Sequence, residues 1–151
     1  MNIHIGDEKI GGGVYSVEEL KTQAPQHIEL SQRVPGTYGR AFDVASWYEA
    51  RKKQADAAAD LRPTHMKVEA ADEFQACIPW GQLGSAAFLY EQDGAPLKKG
   101  FPIRLYVPDG SSECLNVKSV VHVWFLYDES LGEEATYGFK NTFSPEQLRK
   151  K

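Results

Sequence analysis

The sequence predicts an α+β domain in which a mixed, mostly antiparallel sheet, or a flattened barrel, packs against one main helix. Two observations favour this class. Residues 43–61 combine apolar side chains at helical spacing with a run of alanines, which favours a long helix. Beyond residue 65, several short segments alternate apolar and polar residues and are separated by glycine or proline, a pattern typical of strands.

The first residues of the chain differ from the rest. Residues 1–13 end in Gly11–Gly13 and offer little material for a hydrophobic core. We therefore predict a flexible N-terminal segment followed by a single domain over residues 14–151.

A short helix is predicted to begin after Ser16. This serine can cap the helix, and Glu19, three residues later, completes the pattern of a capping box. Pro25 ends the helix because proline cannot continue its hydrogen bonding. The alternating segment His27–Ser31 then predicts a strand, and Val34–Gly39 reads as a loop.

The main helix is predicted to run from an N-cap at Asp43 to about Leu61. Its apolar stripe has helical spacing and consists of Val44, Trp47, Tyr48 and Arg51. The alanines of Ala55–Asp60 favour continuation of the helix, and Arg62-Pro63 ends it.

The second half of the chain is predicted to be mainly β-structure. Strands are expected over Met66–Ala70, Glu73–Ile78, Ala86–Gln92, Phe101–Val107 and Val117–Tyr127. The third and fourth of these should pair across the turn dipeptide Asp93-Gly94. The last should be a central strand because it is rich in β-branched and aromatic residues.

The final twenty residues read as loop. Within them, Tyr137–Phe139 is a candidate anchor of the tail on the sheet, and Ser144–Leu148 a candidate helical turn.

Composition and charge exclude some function classes. The formal net charge is −4 and there is no block rich in lysine or arginine, so general electrostatic binding to nucleic acid is not expected. No apolar run is long enough to predict a membrane span, and the N-terminus lacks the pattern of a signal peptide. Cys77 and Cys114 are too few for a disulfide framework, so we predict a cytoplasmic protein, although one bridge between them stays an alternative.

Three sequence blocks occur in the order and spacing of a known family. They are Ala71–Pro79 (ADEFQACIP), Phe88–Leu97 (FLYEQDGAPL) and Gly100–Pro108 (GFPIRLYVP) followed by Asn116-Val117-Lys118. A weaker match is Pro35–Val44. Together these blocks resemble the molybdopterin-binding domain of the sulfite oxidase family, over roughly residues 14–127. The resemblance implies the α+β fold of that domain.

The resemblance also implies a binding site. In the family, the arginine of the third block and the residues around the following lysine contact the pterin cofactor and its phosphate. That role would fall here to Arg104, Asn116, Val117 and Lys118. The chemistry is reasonable, because a cation beside apolar strands needs an anionic partner and guanidinium groups suit phosphate. The alternative is that Arg104 pairs with an internal carboxylate and Lys118 is solvated.

The chain departs from the family in two places. Lys99 stands where the family has a histidine, and no cysteine precedes the main helix, where the family carries its molybdenum ligand. Neither Cys77 nor Cys114 matches that ligand position, so we assign no metal ligand and no catalytic residue. The four histidines lack the spacing of a zinc site, and His122, within an apolar strand, is predicted to be a hydrogen-bonded structural residue.

We therefore predict a degenerate member of the superfamily. It would bind a pterin such as molybdopterin, or another phosphate-bearing ligand, without conventional molybdenum catalysis. One alternative is an active molybdopterin-dependent oxidoreductase, so whether the protein is an enzyme stays open. The other alternative is a scaffold that binds a protein partner and no small molecule.

Overall fold

The structure is a computed structural model that describes residues 1–140. The helices in this part of the chain are α1 (Val17–Gln23) and α2 (Val44–Gln54). The strands are β1 (Ile3–Asp7), β2 (Gly13–Tyr15), β3 (His27–Glu29), β4 (Arg40–Asp43), β5 (His65–Ala70), β6 (Phe74–Pro79), β7 (Ala87–Gln92), β8 (Ala95–Pro96), β9 (Arg104–Tyr106), β10 (Val120–Leu126) and β11 (Thr136–Phe139). None of the described helices is long and apolar enough to cross a membrane.

The strands form two sheets. The larger has six strands in the order β11-β6-β5-β10-β1-β2, and only the pair of β1 with β10 is parallel among its described pairs. The smaller has the order β3-β4-β7-β8, with β9 also paired to β7, and its pairs are antiparallel. The predicted α+β class with mostly antiparallel strands is confirmed, although the strands divide between two sheets.

An aromatic cluster forms the centre of the main core. Phe42 and Phe88 come from the smaller sheet, Phe125 comes from the larger, and Trp47 and Tyr48 come from α2. The ring centroid of Trp47 lies 5.4 Å from that of Phe42 and 5.5 Å from that of Phe125. Because large aromatic side chains bury much apolar area, this cluster ties α2 to both sheets.

Helix α1 begins as the sequence predicts. The Ser16 hydroxyl accepts a hydrogen bond from the Glu19 amide at 3.1 Å, and the Glu19 carboxylate accepts one from the Ser16 amide at 2.9 Å. The predicted capping box is therefore confirmed, and it satisfies two amides that a helix start would leave unpaired.

Helix α2 begins as predicted but is shorter. Asp43 is its N-cap, whereas the last helical residue is Gln54 instead of the predicted Leu61. Asp56 follows with φ of 53°, a left-handed conformation that a helix cannot contain. The Lys52 ammonium donates a hydrogen bond to the Leu61 carbonyl at 3.0 Å, so the alanine-rich segment folds back against the helix. Helix propensity was overridden here by tertiary contacts.

The N-terminal residues are part of the larger sheet. Residues 3–7, which the sequence predicts to lie in a flexible segment, form β1 between β10 and β2. Ile3 and Ile5 are buried in the main core. The segment was mispredicted because its two isoleucines become core residues only when a strand more than a hundred positions away pairs with them.

The last long strand begins later than predicted. β10 starts at Val120 instead of Val117, and Ser119 has φ of 53° just before it. The residues before this kink pair with the smaller sheet, because the Leu105 amide donates to the Val117 carbonyl at 2.9 Å. The kink therefore lets one stretch of chain pass from the smaller sheet to the larger.

The turn Asp93-Gly94 joins β7 to β8, and β9 then pairs with β7 from farther along the chain. The predicted pairing of the two segments is thus present, but the turn leads first to the short β8. Asp93 and Gly94 both have positive φ, as tight hairpin turns require.

The end of the described chain is a strand and not the predicted loop. β11 pairs with β6 in register Tyr137 to Ala76, so the predicted anchoring of Tyr137–Phe139 on the sheet is confirmed. The predicted helical turn at Ser144–Leu148 lies outside the described residues.

Candidate functional site

Arg104 lies on β9, opposite Leu89 of β7, and is partly buried. Its guanidinium carbon sits 5.2 Å from the centroid of the Tyr106 ring, within range of a cation–π contact. Gly100 packs against the aliphatic stem, since a Cβ there would overlap the Arg104 Cγ and Cδ. The glycine also has φ of 85°. The third motif block therefore places a glycine where only a glycine lets the arginine lie down.

The Arg104 guanidinium has no acidic partner in residues 1–140. No carboxylate oxygen of this part of the chain comes within 4.0 Å of it. The alternative interpretation, an internal carboxylate paired with Arg104, thus has no support among the described residues. A partly buried cation without a counter-ion attracts an anion from outside.

Lys118 lies on the segment next to Arg104. The bonds from the Leu105 amide to the Val117 carbonyl and from the Val120 amide to the Ile103 carbonyl, each 2.9 Å, bracket the two positions. Because Leu105 and Val117 are buried in the core, their neighbours Arg104 and Lys118 project to the opposite side. The Lys118 side chain is exposed.

The other two predicted contact residues take part in local structure. The Asn116 side-chain oxygen accepts a hydrogen bond from the Val107 amide at 2.8 Å and holds the loop after β9. Val117 is 3% exposed and belongs to the main core. The structure thus brings Arg104 and Lys118 together, while Asn116 and Val117 shape the backbone that presents Lys118.

Two further lysines precede the glycine that packs against Arg104. Lys98 and Lys99 are exposed, and neither forms an ion pair with a described carboxylate. We refer to Lys98, Lys99, Arg104 and Lys118 as the basic patch. In a chain with a net charge of −4, four cations along neighbouring segments, without acidic partners in residues 1–140, form a local site for an anion.

The cysteines lie apart from each other and form no disulfide. Cys77 is on β6 in the larger sheet, where burial raises the pKa of its thiol. Cys114 is exposed in a single turn of 3₁₀ helix, Glu113–Leu115. Nowhere in residues 1–140 do three or more histidine, cysteine or acidic side chains form a group that could hold a metal ion.

His122 lies on the face of the larger sheet that points away from the core. Its ring stacks on Trp124 with centroids 3.6 Å apart, and the His4 ring is 5.5 Å away on the neighbouring strand. Burial first, and then His4, lower the pKa of the His122 imidazole. The predicted structural role differs in kind, because this histidine is held by stacking and no hydrogen bond to its ring is formed within the described residues.

A buried polar network at the N-terminal end of the larger sheet was not anticipated from the sequence. The Asp7 side chain is fully buried and accepts hydrogen bonds from the Tyr127 hydroxyl at 3.0 and 3.2 Å. The Tyr48 hydroxyl lies 2.9 Å from that of Tyr127. Burial and these neighbours raise the pKa of Tyr127, so its phenol stays protonated. The one available signal was Arg51 on the apolar stripe of α2, since a buried arginine needs polar neighbours.

A cavity of about 380 Å³ opens beside this network. It lies between the second half of α2, the end of α1 and the connection from β1 to β2. Its lining consists of Ile10, Gly11, Gly12, Tyr15, Gln23, Ala50, Arg51, Gln54 and Ala55. The cavity is separate in its lining from the basic patch.

Neither a scan against protein-family models nor a search of curated proteins finds a match to this chain. The resemblance to the sulfite oxidase family therefore depends on the sequence blocks alone. Function has to be argued from the chemistry of the basic patch and of the cavity.

Proposed function

We propose that this protein binds a phosphate-bearing ligand, in the first instance a pterin cofactor such as molybdopterin, at the basic patch. The observation that carries the proposal is Arg104, a partly buried guanidinium without a described carboxylate partner, on the segment beside Lys118. A guanidinium binds two phosphate oxygens with parallel hydrogen bonds, and a lysine adds a point charge.

The surroundings of Arg104 favour binding because they restrict its side chain. The Tyr106 ring on one side and the Gly100 backbone against its stem limit the rotamers that it can adopt. An arginine held in place loses less conformational entropy on binding than a free surface arginine does. Lys98 and Lys99 add positive charge at the entrance and would raise the rate at which an anion arrives.

The fit to molybdopterin differs between the two ends of that cofactor. The basic patch suits its phosphate. A protein thiolate for molybdenum has no counterpart near the patch among the described residues, since Cys77 lies on the larger sheet and Arg104 on the smaller. We therefore infer a degenerate member of the sulfite oxidase superfamily that acts in the cytoplasm, and we derive no redox step.

The first measurement is metal and pterin analysis of protein purified from its native host. Molybdenum is read by mass spectrometry and pterin by fluorescence after oxidation. We expect pterin without stoichiometric molybdenum. Stoichiometric molybdenum together with pterin would contradict the degenerate assignment and favour an active oxidoreductase.

A titration of the purified protein with inorganic phosphate, followed by NMR, tests the site itself. We expect Arg104→Gln to weaken phosphate binding by about tenfold or more, the usual size of a charge-assisted hydrogen bond. Lys118→Gln should have a smaller effect, because an exposed lysine contributes less. The control is Lys53→Gln, which removes an exposed cation on α2. Equal phosphate binding by the wild type and Arg104→Gln would refute the proposal.

A further inference from the structure

The cavity beside α2 contains one charged side chain, Arg51, which is only 8% exposed. The guanidinium donates one hydrogen bond within the described residues, from Nη2 to the Gly11 carbonyl at 2.7 Å. The buried Nε has no acceptor in this part of the chain. A guanidinium carries five N–H donors, and leaving buried donors unpaired is costly.

The nearest carboxylate satisfies Arg51 only weakly. The distance from the Arg51 Nη2 to the Asp7 Oδ2 is 3.9 Å, too long for a hydrogen bond. Asp7 already accepts hydrogen bonds from the Lys9 and Ile10 amides and from the Tyr127 hydroxyl. Asp7 thus lowers the electrostatic cost of burying Arg51 but leaves its donors available.

The rest of the lining selects among anions. Ile10, Tyr15, Ala50 and Ala55 supply apolar surface. Two glutamines supply amides, and Gln23 accepts a hydrogen bond from the Trp47 indole at 3.2 Å, which leaves its amide N–H groups to donate. Because Arg51 is the single charged side chain that the described residues contribute to the lining, the cavity suits one negative charge attached to an apolar body.

We propose that this cavity is a second ligand site, for a small monocarboxylate with a compact apolar or aromatic body. The carboxylate accepts hydrogen bonds from Arg51, and the body packs on Ile10, Tyr15 and Ala50. Gly11 has φ of 102°, and a Cβ at this position would meet no described atom within 4 Å, so the connection between β1 and β2 leaves the mouth of the cavity open. The site shares no residue with the basic patch and does not depend on the function proposed there.

The test is an NMR titration of the full chain with benzoate, observing the Gly11 and Gly12 amides and the Arg51 Nε–H. We expect saturable shifts with benzoate and much weaker ones with benzamide, which has the same shape but no charge. Arg51→Gln should weaken benzoate binding by about tenfold or more. Arg104→Gln should bind benzoate as the wild type does, which separates this site from the basic patch.

A second variant keeps the test decisive if Arg51→Gln fails to fold. Ala50→Leu fills the cavity from α2 and leaves the arginine in place, so it should abolish the benzoate shifts without loss of structure. Absence of saturable shifts in the wild type would overturn the proposal. Equal binding of benzoate and benzamide, or unchanged benzoate binding by Ala50→Leu, would also overturn it.

Discussion

At the scale of single residues, Asp7 organises the polar groups at one end of the larger sheet. The Tyr127 hydroxyl has one hydrogen, which it donates to Asp7 at 3.0 Å. The Tyr48 hydroxyl must therefore be the donor in its 2.9 Å contact with Tyr127. The hydrogen bonds run in one direction, from Tyr48 through Tyr127 to the carboxylate.

This direction predicts unequal costs for removing the two hydroxyls. Tyr127→Phe takes a donor from a fully buried carboxylate and should lower the free energy of unfolding by about 1–3 kcal/mol. Tyr48→Phe is the matched control and should cost less, because Asp7 keeps all its donors. Urea unfolding followed by circular dichroism measures both variants. A larger loss in Tyr48→Phe than in Tyr127→Phe would show that the hydrogen bonds run otherwise.

Residue-level prediction succeeded where chemistry and local backbone coincide. The GFPIR block singled out Arg104, and the structure places Gly100 directly against its stem. Asp7 and Tyr127 could not be found in the same way, because they are 120 positions apart and meet only after the sheet has formed. A buried carboxylate of this kind has no local sequence pattern.

At the scale of elements, helix α1 depends on its N-cap more than on its length. It has seven residues and buries only Leu20, so tertiary packing contributes little to its start. Both hydrogen bonds of the capping box are formed at the Ser16 end.

Ser16→Ala should therefore destabilise the protein by about 1 kcal/mol, the usual cost of losing a serine N-cap. Thr22→Ala on the same helix is the control, since its exposed hydroxyl only donates back to the Glu18 carbonyl and contributes little. Thermal unfolding of both variants measures the difference. Equal midpoints for the two variants would contradict a stabilising role for the capping box.

Elements set by local signals were predicted, and elements set by distant partners were not. The capping box and the Asp93-Gly94 turn are encoded within four residues and are present in the structure. The end of α2 was missed because Lys52 draws the next segment back through the carbonyls of Ala59 and Leu61. Nothing in the alanine-rich sequence indicates those contacts.

At the scale of the whole molecule, one parallel pair joins the two ends of the described chain. β1 lies between β10 and β2, and β10 reaches the smaller sheet through the kink at Ser119. Prediction gave the class of the fold because strand patterns are local. It could not give the strand order, because the sequence does not state which strands become neighbours.

This position of β1 predicts that the N-terminal residues are required for folding. Deletion of residues 1–13 removes Ile3 and Ile5 from the core, Asp7 from beneath Tyr127, and one neighbour of β10 along most of its length. Loss of two buried isoleucines alone costs several kcal/mol, roughly 2–5 for each one truncated, which approaches the total stability of a small domain.

We therefore expect the deletion of residues 1–13 to abolish cooperative thermal unfolding and the dispersion of the amide NMR spectrum. Deletion of Met1 and Asn2 alone is the control, because both are exposed and lie outside β1, and it should leave the midpoint close to that of the wild type. A cooperative transition at the wild-type midpoint in the longer deletion would instead mean that the segment is dispensable. In that case the core would have to close without β1, and the Arg51 cavity, which residues 10–12 help to line, would lose one wall while the basic patch remained intact.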